Sequence, residues 1–214
     1  MDGPPAGAGL LERAACRLRP EPPTFLEPRS DLKGDHAFDA AGRSTVAPGK
    51  PRNAAVLVPI VMRQEGPAVL LTERASGLRN HSGQIAFPGG RMDPEDETPV
   101  ETALREAEEE VGLARRHVRP LGYLDAYLSS SNYFVLPVVA AVEPAMSLRP
   151  NPHEVAEAFE VPLGFLMDEA NHELHARSWR GGIRQYYAIP YGKRYIWGVT
   201  AGILRNMHEK LFGR

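Results

Sequence analysis

Cysteine is nearly absent from this chain. The 214 residues contain one, Cys16, which excludes an internal disulfide and a zinc site built from cysteines. Cys16 also lacks the neighbouring histidine pattern of a nucleophile and reads as a bystander. Long apolar runs are missing too. None approaches the roughly 20 residues a membrane-spanning helix needs. The opening MDGPPAGAGLLERAAC has neither the basic start nor the apolar core of a secretory signal. The expectation is a cytoplasmic protein with no membrane partner. Charge of one sign is also scarce. The 25 Lys and Arg against 27 Asp and Glu leave a formal charge of −2, which argues against a general electrostatic grip on nucleic acid. There is no internal repeat.

A hydrophobic share of 43% is enough for a packed core, so the chain is not wholly disordered. The apolar residues are unevenly placed. Residues 1–50 are rich in Pro, Gly and Ala, and only LLERAACRL reads as a short helix. This stretch is expected to be an N-terminal arm, loosely structured or draped over the domain. The domain, residues 51–214, opens with AAVLVPIVM and PAVLLTER, two buried strands joined by the turn RQEGP. They predict a hairpin. QIAFPGGR is a third extended piece, followed by a helix. YLDAYL and YFVLPVVAAV form another strand pair around SSSN. EVAEAFEVPLGFLM starts extended and turns helical near Pro162. YYAIPY and RYIWG are strands, and VTAGILRNMHEKL has the apolar spacing of a C-terminal helix. The predicted class is α/β with a mixed sheet.

The most informative stretch is GGRMDPEDETPVETALREAEEEVGL, residues 89–113. Thr98 is a good N-cap, Pro99 suits the first helical position, and Glu101 completes a capping box. Gly112 is a C-terminal stop. The spacing predicts a helix over 99–111. At roughly 100° per residue, Val100, Ala103, Leu104, Ala107 and Val111 share one apolar stripe. Glu106 and Glu110 fall beside that stripe, one turn apart. Glu109 lies one step further round, next to Arg105, and Glu108 points to water. Like charges at this spacing repel. Arg105 can offset one side, and a hard divalent cation suits the carboxylate oxygens on the other. A bare Glu-Glu-Glu run is more often a solvated face, so the flanking residues decide.

Those flanks are specific. Gly90, Glu97, Arg105, Glu106, Glu109, Glu110 and Gly112 resemble the signature of the Nudix hydrolases. The loop between Gly90 and Glu97 is one residue longer than the family pattern usually has. Upstream, LTERASGLRNHSGQIAFPGG, residues 71–90, resembles the extra motif of the coenzyme A diphosphatase branch of that family. Its fixed positions are Leu71, Thr72, Arg74, Ala75, Arg79, Gly83, Phe87, Pro88, Gly89 and Gly90. NPHEVAEAFEVPL and IWGVTA look like further stretches of the branch.

The resemblance implies an α/β/α sandwich and metal-dependent hydrolysis of a diphosphate. In this branch the substrate is coenzyme A or a thioester of it, and a homodimer is expected. Glu106, Glu109 and Glu110 would hold Mg²⁺ or Mn²⁺, with Glu109, Arg105 and Glu106 as the catalytic set. Gly89 and Gly90 would let backbone approach metal or phosphate, besides making a tight turn. Arg74 and Arg79 are candidates for the coenzyme's phosphates, with ordinary surface charge as the alternative. Glu154 is a candidate base outside the helix, or a solvated glutamate at a strand start. His81 is a weaker phosphate candidate, and Trp197 and Phe159 read as core. The alternatives are a Nudix hydrolase of another nucleoside diphosphate derivative, such as a dinucleotide or nucleotide sugar, and a non-catalytic nucleotide-binding module. The latter predicts lost helix glutamates, and none is lost.

Overall fold

The computed structural model describes residues 7–24, 33–34, 50–77, 83–179 and 182–213. Among the described residues four helices flank the sheets: α1 (Gly7–Arg17), α2 (Pro99–Val111), α3 (Leu163–Leu166) and α4 (Val199–Leu211). A mixed sheet is built from β1 (Lys33–Gly34), β2 (Arg52–Arg63), β3 (Gly66–Arg74), β4 (Ile85–Ala86), β5 (Gly89–Arg91), β6 (Val118–Tyr123), β7 (Tyr127–Leu128), β8 (Tyr133–Val142) and β9 (Val155–Pro162). Its long path runs β1-β7-β8-β2-β3-β4. On the same sheet β5 pairs with β2, β6 with β8 and β9 with β3. A second, antiparallel sheet holds β10 (Glu173–Trp179), β11 (Gly182–Tyr191) and β12 (Arg194–Trp197).

The predicted hairpin is β2 and β3, paired antiparallel from Ile60 opposite Val69 to Arg63 opposite Gly66. At the sheet's centre β2 also runs parallel to β8 over ten register positions, from Arg52 opposite Tyr133 to Val61 opposite Val142. A parallel pair needs a long crossover, and α2 lies within it. Both central strands are buried on both faces, which explains why they read as near-continuous apolar runs. Along β2, Ala54, Val58 and Ile60 face one core, while Ala55, Leu57 and Val61 face the other. The second core is closed by α2 through Ala103, Ala107 and Val111. The first is closed by α1, α3 and α4 through Leu10, Ala14, Leu163, Leu166, Ile203, Leu204, Met207 and Leu211. The fold is therefore α/β, a mixed sheet between helices. Among the described residues no helix is long and apolar enough to cross a membrane.

One stretch of the Pro- and Gly-rich arm is docked. Leu10 and Ala14 on α1 are fully buried. Arg13 Nη1 donates to the Leu211 carbonyl at 3.2 Å, and Arg17 Nη1 donates to the carbonyls of Lys210 at 3.3 Å and Gly213 at 2.9 Å. Cationic side chains thus satisfy the carbonyls that α4 leaves open at its C-terminus.

Candidate functional site

The helix α2 starts and stops where its caps dictate. Thr98 is extended, with φ −137° and ψ 155°, and its hydroxyl accepts the Glu101 N–H at 3.2 Å. The Glu101 carboxylate accepts in return from the backbone N–H of Thr98 at 3.2 Å and of Glu97 at 2.7 Å. Gly112 ends the helix in the left-handed region at φ 67°, and a Cβ there would press on Arg149. The buried face differs from the expected stripe. Val100 and Leu104 are only half-buried, while Thr102 and Glu110 are buried with Ala103, Ala107 and Val111. The helix is rotated so that Glu110, predicted at the margin of the core, lies inside it.

That burial shapes the carboxylates. Glu110 is 4% exposed. One oxygen accepts the Gly89 N–H at 3.2 Å, and the other faces Arg74 Nη1 at 3.8 Å. Burial, reinforced by the charges of Glu106 and Glu154, pushes its carboxyl up to about 7, against the pull of the Gly89 N–H and Arg74. Burial also raises Glu106, opposed by Arg105 and reinforced by Glu109 and Glu154. Glu109 is exposed and reached by Arg105 Nη1 at 3.3 Å. Glu108 points to solvent, as expected.

Arg105 organises this face, with one partner the sequence reading missed. Asp96 receives its Nε at 3.2 Å and its Nη2 at 2.9 Å, a bidentate pair. The Thr102 hydroxyl donates to the same carboxylate at 2.9 Å. The arginine's hydrogen bonds hold the Asp96 carboxyl well below the usual range, and Asp96 in turn raises Arg105. The other side of the guanidinium reaches Glu106 at 3.0 Å. Glu97, the acidic residue of the family signature, is exposed and uses its backbone N–H on Glu101 instead. The loop before the helix delivers Asp96, not Glu97, to Arg105. The adjacent Asp96-Glu97 pair was the available signal.

Gly89 and Gly90 lie on β5, against α2. A Cβ on Gly90 would run into the Glu106 carboxylate, so this close approach needs glycine. Glu154 lies in the turn just before β9. Its backbone carbonyl accepts the Ala75 N–H at 2.9 Å, and its carboxylate accepts from Asn151 Nδ2 at 3.4 Å. The structure thus brings together Glu106, Glu109, Glu110, Arg105, Arg74, Gly89, Gly90 and Glu154. Arg79 and His81 lie outside the described residues. Phe159 is buried under Arg194, whose guanidinium sits 3.9 Å from the ring centroid, and Trp197 packs edge-on to Tyr186 at 5.6 Å. Phe159 belongs to the core that α2 does not close, and Trp197 is half-buried.

Among the described residues no group of three or more His, Cys, Asp or Glu side chains forms a preassembled metal cage. Arginines and backbone N–H groups hold the carboxylates instead. The donor chemistry nonetheless suits a hard divalent cation: several carboxylates, two raised by burial, stand together along one side of α2.

Comparison with known proteins bears on the same segment. A family model described as NUDIX domain matches residues 51–180. The Uncharacterized Nudix hydrolase NudL of Photorhabdus laumondii is 43% identical over 160 residues, covering 75% of this chain and 85% of that protein. Its namesake from Yersinia pestis is 41% identical over 187 residues, covering 86% and 88%. The crystal structure of the MutT protein from Methanosarcina mazei aligns with a TM-score of 0.45 at 20% identity, over 56% of this chain and 84% of that one. With the domain model spanning more than half of its length and relatives above 40% identity over most of it, the chain belongs to the Nudix hydrolase family.

Proposed function

We propose that the chain is a metal-dependent diphosphatase acting on a nucleoside-diphosphate-linked substrate, and that this substrate is coenzyme A or a thioester of it. The products are 3′,5′-ADP and 4′-phosphopantetheine or its acyl form. The observation that carries this reading is the junction at Glu110. Arg74 and Gly89 stand near the two ends of the 71–90 motif, and both reach the Glu110 carboxylate. Both ends of the segment that resembles the coenzyme A branch therefore reach the same side chain of the glutamate helix.

Glu106, Glu109 and Glu110 are the residues that would hold Mg²⁺ or Mn²⁺. Bound there, the cation supplies charge neutralisation on the diphosphate and a more acidic water. The remaining work belongs to the chain. Arg105, clamped by Asp96, fixes the direction of Glu106 and Glu109; lysine has no such fork. Gly90 keeps backbone close to the reacting phosphate. Arg74, with 30% of its side chain exposed, presents charge to a substrate phosphate. Glu154 accepts the proton of the attacking water as the new P–O bond forms and the bridging P–O bond breaks.

The test is a turnover panel of coenzyme A, dephospho-coenzyme A, NADH and ADP-ribose with Mg²⁺ or Mn²⁺, products separated by chromatography. Coenzyme A should have the highest kcat/KM. Loss of the 3′-phosphate contact should cost dephospho-coenzyme A about 1.5–3 kcal/mol, roughly tenfold or more. An equal or better rate on NADH or ADP-ribose overturns the coenzyme A assignment.

A further inference from the structure

We infer that Asn151 is a positioning residue for hydrolysis, acting by holding the Glu154 carboxylate toward the glutamate helix. The inference rests on the diphosphatase reading and on Glu154 as the group that takes the proton from water.

Asn151 sits where three parts of the site meet. Its backbone N–H donates to the carbonyl of Glu110 at 2.8 Å, and the Arg149 N–H donates to the carbonyl of Val111 at 2.7 Å. These bonds strap the segment across carbonyls that α2 leaves open at its C-terminal end. The carbonyl of Asn151 accepts the N–H groups of Glu154 at 3.0 Å and Val155 at 2.8 Å, closing a tight turn. Its side chain then does two separate jobs. Oδ1 accepts the His153 N–H at 3.1 Å, which shapes the turn, and Nδ2 donates to Glu154 Oε1 at 3.4 Å, which aims the carboxylate.

A donor is needed at that point. The turn that carries Glu154 is bonded to the carbonyl of Glu110, at the negative end of α2. A carboxylate placed there is repelled, and a glutamate with three rotatable torsions relieves the repulsion by turning outward. The Glu154 backbone is already fixed to the 71–90 segment through Ala75. What remains free is the side chain, and the Asn151 amide is the group bonded to it. An amide does this without a positive charge that would neutralise a base. The residue is therefore bonded at once to the backbone of a glutamate in α2 and to the side chain of the glutamate outside it.

The two side-chain jobs can be separated. Asn151→Asp keeps the acceptor for His153 and the backbone bonds, but removes the donor to Glu154. Asn151→Ser keeps a short acceptor and is neutral, but does not reach Glu154. Each should retain wild-type thermal melting and KM while lowering kcat by about tenfold or more, the usual effect of losing a partner that orients a reacting group. Glu154→Gln should lower kcat by about a hundredfold or more. Adding Asn151→Asp to Glu154→Gln should then change nothing further, because the residue acts through Glu154. Wild-type kcat in both Asn151 variants overturns the inference. So does an equal loss with and without Glu154, and so does loss of the fold in both variants, which makes Asn151 a structural residue. The measurements use coenzyme A, dephospho-coenzyme A, NADH and ADP-ribose. If the wild type prefers another of these diphosphates, the substrate assignment fails while the Asn151 comparison proceeds on that compound. A wild type that hydrolyses none of them overturns both.

Discussion

Replacing Glu110 by Gln should separate its cost to the fold from its service to the reaction. The carboxyl is buried, and its pKa rises from an ordinary 4.5 to about 7. The folded chain therefore holds this proton more tightly than the unfolded one. Below pH 4.5 both states are protonated, and Glu110 resembles the neutral amide. Between 4.5 and about 7 the unfolded state gives up its proton while the folded state keeps it. Stability falls across that window at about 1.4 kcal/mol per pH unit, about 3 kcal/mol in all, and is flat above it. Glutamine has no proton to lose and can still accept the Gly89 N–H. In chelator-treated buffer, the melting temperature of Glu110→Gln relative to wild type should rise by roughly 6–12 °C between pH 4 and pH 8. Groups away from this site titrate alike in both proteins and cancel, while Glu106, whose charge Glu110 feels, shifts with the substitution. The same variant should lose most turnover, and Mg²⁺ should raise its melting temperature less than that of wild type. Parallel melting curves across the pH range would refute the buried, proton-holding carboxyl. Near wild-type turnover at limiting Mg²⁺ would refute its place in the site.

Asp96→Ala leaves Arg105 without its bidentate partner; it should destabilise the protein by about 3 kcal/mol in denaturant titration, since the Asp96 side chain is 7% exposed, and lower kcat as the glutamates loosen. The depressed pKa of Asp96 contributes stability at neutral pH that is lost as pH falls below 3.8, so the wild-type advantage over Asp96→Ala should shrink in acid. Gly90→Ala should leave the far-ultraviolet circular dichroism unchanged and still abolish most activity, because the methyl group occupies the place of the Glu106 carboxylate. Leu10→Ala should cost about 2–4 kcal/mol by thermal melting, as expected for a residue fully buried against the domain; a change within 0.5 kcal/mol would show that α1 does not dock in solution.

The parts of the fold that local chemistry determines were legible from the residues. Helix α2 runs from Pro99 to Val111 because Thr98, Glu101 and Gly112 mark its ends in the sequence itself. The β2–β3 hairpin and the turn from β9 into α3 at Pro162 follow from apolar runs and breakers in the same way. What escaped depended on packing. A helical wheel gives an angle but not a rotation against the sheet, so the burial of Thr102 and Glu110 over Val100 and Leu104 was invisible. Asp96 escaped because two acids stand side by side in a loop, and only the loop's path decides which meets Arg105. Strand β10 escaped because ELHARSW is polar and its strand character comes from pairing with β11. The role of Asn151 needed the turn closed on Glu110 and Glu154, three elements that no sequence window contains.

The clasp between α1 and the far end of α4 sets an order of events during synthesis. Arg13 meets the carbonyl of a residue 198 positions later. At roughly 5–20 residues per second, an interval of some ten to forty seconds separates the emergence of Leu10, Ala14 and Leu18 from that of the surface they cover. Helix α1 thus leaves the ribosome well before α4 and finds its place only once α4 has followed. Throughout that interval its apolar face is open to other takers in the cell. Sequence changes that blunt this face should therefore alter yield in living cells more than they alter the stability of the purified protein.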